Sequence, residues 1–381
     1  MSKEQRKIVI AAGGTAGHVV PALAVAAALR AEGAEVAFIG GERAEAELVP
    51  ATGYPLHTIG VEGLSRTNPL KALRSLLRAV VAVVHARALL GELRPDAVLG
   101  AGGYVAGPVG VAALTRRIPL VLSEADSHLG LTNRLLAPWA RRVCLAFARP
   151  EVRRRGVSQW VGKWRGGGGA ENGAGGGAGN RYLVTGRPIP AFAHDRQGAR
   201  ARLGIDPQET CVLIFGGSLG ARSINLAAID AFAGAALHVL HICGRRDYPE
   251  LAHRQLPAGY DLREYMNLEE FSEALSAADL VVARAGGSVF EIAAHGLPAI
   301  LVPYPHAAAD HQSANARWMA QGGAAVVLAD SQLNSVRLAH EVARLLSDPT
   351  RLASMGSAAR RLARPDAAAD VARELLQAAG R

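Results

Sequence analysis

The residues best placed to do chemistry sit in a series of glycine-rich turns. Gly13-Gly14-Thr15-Ala16-Gly17-His18 follows the apolar run Ile8 to Ala12 and opens an Ala/Leu-rich stretch with helical character. Glycines let the chain reverse and bring its backbone close to a ligand. The helix that follows offers unpaired N–H groups and a positive dipole end, which suits a phosphate. A histidine at such a helix start can accept a proton. The plainer readings are a tight strand-to-helix turn and a capping or packing histidine. The spacing is not GxGxxG, and no acidic residue follows at the ribose position of a dinucleotide site.

Gly100-Ala101-Gly102-Gly103-Tyr104 again follows a short apolar run, Ala97 to Leu99. Two glycine turns at the ends of parallel strands share one sheet edge and can surround a diphosphate. Glu124 and Asp126 follow the next apolar run and belong to the same edge. They can serve as base or hydroxyl acceptors, or Asp126 can cap a helix. In the second half, Gly216-Gly217-Ser218-Leu219-Gly220-Ala221 echoes the first turn. Arg284-Ala285-Gly286-Gly287-Ser288 then opens a helix in which Glu291 can accept from vicinal hydroxyls. His306, Asp310, His311 and Gln312 are too mixed a set for a metal and read as a polar lip.

These turns require strands to carry them and helices to follow them. Short apolar runs without polar alternation, at Val36 to Ile39, Leu120 to Leu122, Tyr182 to Thr185, Cys211 to Phe215, Leu237 to Ile242, Leu280 to Val282 and Ile300 to Val302, predict parallel sheets covered on both faces. At about 150 residues per domain, the 381 residues make two domains. The repeated strand-GG turn predicts two Rossmann-like halves. Nine glycines lie between Gly166 and Gly179, a composition that cannot build a core. The reading is an N-terminal domain over 1–187 with a glycine-rich insertion at about 163–180, a C-terminal domain over 188–364, and a final helix over 365–381 packing back on the first domain.

Half the residues are hydrophobic and the net charge is +9, carried almost wholly by arginine. No apolar run reaches the ~18 residues of a membrane-spanning helix, and there is no hydrophobic leader before the first turn. Three separated cysteines, Cys144, Cys211 and Cys243, have neither disulfide nor zinc spacing. One further segment stands out. Asn68 to Leu90 reads as a helix with Lys71, Arg74, Arg78 and His85 on one stripe and Leu70, Leu73, Leu77, Val80, Val81 and Val84 beside it. Such a face suits an anionic membrane surface. The alternative is an amphipathic helix whose apolar stripe faces the core.

Taken in order, GGTAGHVVPALAVA, GAGGYVAGP, GLTNRLLAP, GGSLGARSIN and RAGGSVFEIAAHGLPAILVPYPHAAADHQSANA resemble the MurG family. These are the UDP-N-acetylglucosamine:undecaprenyl-pyrophosphoryl-N-acetylmuramyl-pentapeptide N-acetylglucosaminyltransferases, or lipid II synthases. The resemblance runs from about Lys7 to Ala379, the glycine-rich insertion excepted. It implies a GT-B α/β fold with two Rossmann-like parallel-sheet domains facing a cleft. It also implies inverting, metal-independent transfer of N-acetylglucosamine from UDP-N-acetylglucosamine to the muramyl 4-hydroxyl of lipid I, with no cofactor. His18 and Glu124 become the catalytic candidates. Thr15, Ala16, Gly17, Asp126, Ser218, Met266, Arg284, Gly286, Ser288, Glu291, Gln312 and Asn315 become donor-binding. Gly13, Gly14, Gly102, Gly103 and Tyr104 face the acceptor diphosphate. Leu70, Lys71, Leu73, Arg74, Leu77, Arg78 and Val81 associate with the membrane. The family's His-Glu-Gln-Asn run is Ser123-Glu124-Ala125-Asp126 here, and its interdomain arginine is replaced by Pro190, with Arg187 and Arg222 as candidates to compensate.

The implied partners are the UDP-sugar, undecaprenyl-linked lipid I, an anionic membrane surface at the cytoplasmic face, and other cell-wall synthesis proteins. Aromatic-basic interleaving is absent, which argues against nucleic acid. Two other activities fit the same motifs: a different GT-B glycolipid transferase, and a UDP-sugar epimerase. A non-catalytic binder would be expected to lack His18 or Glu291.

Overall fold

A computed structural model describes residues 5–61, 69–148, 181–217, 219–234, 237–307 and 310–380, with side chains from residue 78 onward in the helix that begins at 69. Ser218, the side chains of Leu70, Lys71, Leu73, Arg74 and Leu77, and the glycine-rich stretch 163–180 lie outside the described residues.

The chain forms two compact units, Met1–Pro190 with Asp366–Arg381, and Ala191–Pro365. In the first unit the strands are β1 (Lys7–Ala11), β2 (Glu35–Gly40), β3 (Leu56–Thr58), β4 (Ala97–Gly100), β5 (Leu120–Glu124), β6 (Arg142–Leu145) and β7 (Tyr182–Val184). They form one sheet in the order β3-β2-β1-β4-β5-β6-β7, every described pair parallel. The helices are α1 (Ala16–Ala31), α2 (Ala44–Ala51), α3 (Pro69–Leu93), α4 (Ala106–Thr115) and α5 (Leu131–Leu136).

The second unit has β8 (Cys211–Phe215), β9 (His238–Ile242), β10 (Tyr260–Arg263), β11 (Leu280–Ala283), β12 (Ala299–Leu301) and β13 (Ala325–Val327). Their order is β10-β9-β8-β11-β12-β13, again parallel. Its helices are α6 (Arg196–Leu203), α7 (Arg222–Ala231), α8 (Tyr248–Leu251), α9 (Leu268–Ala277), α10 (Val289–His295), α11 (His311–Gln321), α12 (Ser335–Leu346) and α13 (Pro349–Leu362). The last helix, α14 (Ala367–Ala379), packs in the first unit on α1, β4 and β5, where Arg142 Nε meets Glu374 Oε2 at 2.7 Å.

Both sheets bury both faces, which is why their central strands are apolar without alternation. β4, β5, β8 and β11 are buried at every residue. Each sheet reverses its winding beside its first strand, between β1 and β4 and between β8 and β11. In doubly wound sheets that point, at the carboxyl ends of the strands, is where ligands bind.

α3 presents Ala82, Ala86 and Leu90 to the core. Residues four apart share one helix face, and Val80, Val81 and Val84 fall outside it, each more than half exposed. The alternative in which those valines face the core is thereby overturned.

Candidate functional site: two sets of glycine turns

In the first unit the turns after β1 and β4 are pressed together backbone to backbone. A Cβ on Gly103 would collide with the Gly13 carbonyl, and Gly102 and Gly103 both have positive φ. Only glycine fits such a position without strain. Gly102 lies under the His18 imidazole, so near that a Cβ there would sit 2.8 Å from Nδ1. His18 is half-buried in the first turn of α1, its N–H held by the Thr15 carbonyl at 2.9 Å. Thr15 is extended at the helix cap and makes no side-chain cap bond. The helix start of Ala16 and Gly17 therefore keeps its dipole end open to a ligand.

A residue not singled out from the sequence organises this edge. Glu45, on α2, is fully buried. It accepts from the Gly14 N–H at 2.8 Å, the Gly41 N–H at 2.9 Å and the Tyr104 hydroxyl at 2.8 Å. Burial pushes its carboxyl up, but its own N–H, Gly14, Tyr104 and Gly41 outweigh that and leave it below its ordinary value. Burial, and then Glu45 itself, push the Tyr104 phenol up to about 12, so it stays a donor. Three turns, after β1, β2 and β4, are thus latched to one carboxylate. Gly14 and Tyr104 belong to that latch.

Glu124 ends β5, on the edge the sequence assigned to it. It is 5% exposed. Its Oε2 accepts from Gly130 N–H at 2.7 Å and Asn133 Nδ2 at 3.0 Å, and its Oε1 from Asp126 N–H at 3.2 Å. Burial raises its pKa against those three bonds. These bonds fix the Glu124 carboxylate against the loop that follows β5. Asp126 is half-buried and does not cap a helix, because α5 starts at Leu131 after Gly130. Arg187, 7% exposed, donates to the Gly17 and Ala125 carbonyls and so ties α1's start to the loop after β5. Arg222 lies in the second unit, paired with Glu250 and Asp247.

In the second unit α7 and α10 also start without a side-chain cap, after the turns that follow β8 and β11. By contrast α6, α9, α12 and α13 are capped by Asp195, Asn267, Asn334 and Asp348. A Cβ on Gly286 would meet nothing within 4 Å among the described residues. Ser288 precedes α10, and Glu291 is half-buried in its first turn.

Arg284 is held by an unforeseen brace. Its Nη1 donates to Asp330 Oδ1 at 2.6 Å and to the Val302 and Pro303 carbonyls, and its Nη2 to Ser223 Oγ at 2.8 Å. Ser223 Oγ donates in turn to Asp330 Oδ1 at 2.7 Å. The guanidinium, 8% exposed, ties the first turn of α7, the end of β12 and the segment after β13 to the end of β11. Asn315, buried on α11, donates to the Ala285 and Gly286 carbonyls, shaping the turn from below, while its Oδ1 has no partner among the described residues. Gln312 Oε1 accepts from the Tyr304 N–H at 2.9 Å. Met266 is buried after β10, just before the Asn267 cap of α9.

No sequence signal short of the topology would find Glu45, Ser223 or Asp330: apart from Gly41, four residues from Glu45, the partners named here lie 31 residues or more away.

Comparisons with known proteins agree with this architecture. The glycosyltransferase family 28 N-terminal domain matches residues 8–145, and the family 28 C-terminal domain matches residues 211–371. A UDP-N-acetylglucosamine--N-acetylmuramyl-(pentapeptide) pyrophosphoryl-undecaprenol N-acetylglucosamine transferase of Moorella thermoacetica is 39% identical over 377 residues, covering 95% of this chain and 96% of the relative. The protein of the same name from Acidithiobacillus ferrooxidans is 40% identical, covering 98% of each chain. Among solved structures, Acinetobacter baumannii MurG superposes with a TM-score of 0.71 at 28% identity, covering 98% of this chain and all of that one. CalG4, the calicheamicin glycosyltransferase, shares the fold at 18% identity, with a TM-score of 0.67. With two family domains in order and full-length relatives near 40% identity, the chain belongs to glycosyltransferase family 28 and, within it, to the MurG family.

Proposed function

We propose that this protein transfers N-acetylglucosamine from UDP-N-acetylglucosamine to the muramyl 4-hydroxyl of lipid I, giving lipid II for peptidoglycan synthesis. The observation that carries the reading is the near-full-length identity to transferases named for that reaction. The second unit takes the donor: the turns after β8 and β11 meet the diphosphate, and Glu291 and the Met266 backbone meet the nucleoside. The first unit takes the acceptor diphosphate at Gly13, Gly14, Gly102 and Gly103, and Tyr104 holds that turn in place.

His18 accepts the proton of the attacking hydroxyl, and inversion at the anomeric carbon follows from direct displacement of UDP. Uncapped helix starts and fixed donors meet the charge that builds on the departing diphosphate. In this reading no metal is required.

No described helix is long and apolar enough to cross a membrane. The acceptor is a membrane lipid, so the protein works as a peripheral enzyme at the cytoplasmic face. The exposed Val80, Val81 and Val84 of α3, and Leu131, Leu135 and Trp139 on and after α5, supply an apolar face for an anionic bilayer.

The test is transfer of radiolabelled N-acetylglucosamine from its UDP donor to a short-chain lipid I analogue with EDTA present. Labelled disaccharide lipid is expected. Product that appears only with added divalent ion would remove the metal-independent mechanism. No transfer under either condition, with sugar passed to another lipid or epimerised, would overturn the proposed acceptor.

A further inference from the structure

One group of buried polar side chains in the second unit has no part in the chemistry above. His241, on β9, has no exposure. Its Nδ1 lies 2.8 Å from the Tyr260 hydroxyl of β10, and its Nε2 lies 3.1 Å from Asn225 Oδ1 of α7. Asn225, also fully buried, donates through Nδ2 to the Cys243 carbonyl and to Asp247 Oδ2, both at 2.8 Å. Those two bonds make Oδ1 the acceptor, so the imidazole proton is on Nε2 and the Tyr260 hydroxyl donates to Nδ1. Every donor then points one way, from Tyr260 through His241 and Asn225 to Asp247. Burial lowers the His241 pKa to about 3, which keeps the ring in the neutral form that this wiring needs.

The chain ends on a carboxylate that anchors two cations. Asp247, 2% exposed on its side chain, accepts from Arg246 Nε at 2.9 Å and Nη2 at 3.1 Å, a bidentate pair, and from Arg222 Nη1 at 3.4 Å. Arg222 is also committed to Glu250, at 2.8 and 3.1 Å. Arg246 differs: its Nη1 has no partner among the described residues, and its side chain is 55% exposed. It stands just past the carboxyl end of β9. There Gly244 and Gly220, the latter in the turn after β8, approach so closely that neither has room for a Cβ. The Tyr304 phenol, past the end of β12, is within its electrostatic reach. An outward guanidinium therefore stands on the same sheet edge as the turns assigned to the diphosphate. A fork already fixed by a carboxylate loses little freedom when it binds phosphate.

We infer that Arg246 contacts the diphosphate of the donor nucleotide and that Tyr260, His241, Asn225 and Asp247 form the chain that positions it. This rests on reading the second unit as the UDP-sugar site.

Calorimetric titration of the full chain with UDP and with uridine, which lacks the diphosphate, tests it. Arg246→Ala is expected to weaken UDP about tenfold and Tyr260→Phe about threefold, with uridine affinity unchanged in both. Arg246→Lys is expected to recover part of the loss. Parallel weakening of UDP and uridine would make the chain a scaffold only and overturn the proposal. Unchanged UDP affinity in both variants would overturn it as well. Failure of the unaltered protein to bind UDP would overturn the donor assignment itself, and this inference with it.

Discussion

Glu45 and Tyr104 meet at 2.8 Å, a carboxylate from α2 and a phenol from the turn after β4, 59 residues apart in sequence. The same carboxylate holds the N–H groups of Gly14 and Gly41. Glu45→Ala strands three donors at once and is expected to destabilise the protein by about 3 kcal/mol, against about 1 kcal/mol for Tyr104→Phe. Urea denaturation measures both. Equal effects would mean that the two backbone donors find other partners and that the latch is the phenol alone.

Asp330 and Arg284 make the corresponding brace in the second unit. Both are partly reached by solvent, so the loss for Asp330→Ala is discounted from the buried-pair range to roughly 2 kcal/mol. The guanidinium, released from its carboxylate, no longer fixes the turn that follows β11. UDP affinity is therefore expected to fall as well, while Ser223→Ala costs about 1 kcal/mol and affects affinity less. A variant that loses stability but keeps its UDP dissociation constant would separate the brace from the donor site.

His241 sets a pH dependence with a definite sign. Its folded pKa of about 3 lies below the ~6.5 of an unfolded histidine. Its contribution to stability is complete above about pH 6.5 and is lost as pH falls towards 3, because the unfolded chain binds the extra proton. The slope is about 1.4 kcal/mol per pH unit. Burial lowers the His295 pKa too, which adds to the slope in the same direction. The raised pKa of Glu124 works in the opposite direction in the lower part of that range, so the His241 contribution is read as the difference between the protein and its variant. His241→Phe should flatten the stability profile there by one proton, and an unchanged slope would show that His241 does not titrate on unfolding.

His18→Ala should lower turnover by roughly 10²- to 10⁴-fold, the range of a lost general base. UDP affinity should be unaffected, because the imidazole packs over Gly102 in the first unit and the nucleotide is assigned to the second. A raised acceptor KM with kcat intact would instead make His18 a binding residue.

The glycine turns and the apolar strands were legible because each is a local pattern. Glycine at positive φ and a run of buried aliphatics both follow from neighbours in sequence. The short strands β3, β6, β10 and β13 were missed, since three or four residues such as Leu56–Thr58 or Ala325–Val327 carry too little periodicity. Glu45 and Asp330 carry no local pattern that sets them apart from other acidic residues. Their meaning comes from strand order, which brings the ends of β1, β2 and β4, or of β8, β11, β12 and β13, side by side. Glu124 stood out by its motif, but its bonds to Gly130, Asn133 and Asp126 come from the fold of the loop and not from the motif.

The packing of α14 on α1, β4 and β5 has a consequence for synthesis. Domains generally begin to fold as they leave the ribosome, N-terminal first. Here the first unit lacks one of its helices, and the Glu374 partner of Arg142, until translation has passed the whole of the second. The second unit, continuous from Ala191 to Pro365, has every residue it needs sooner. The part of the protein that is made first is therefore completed last.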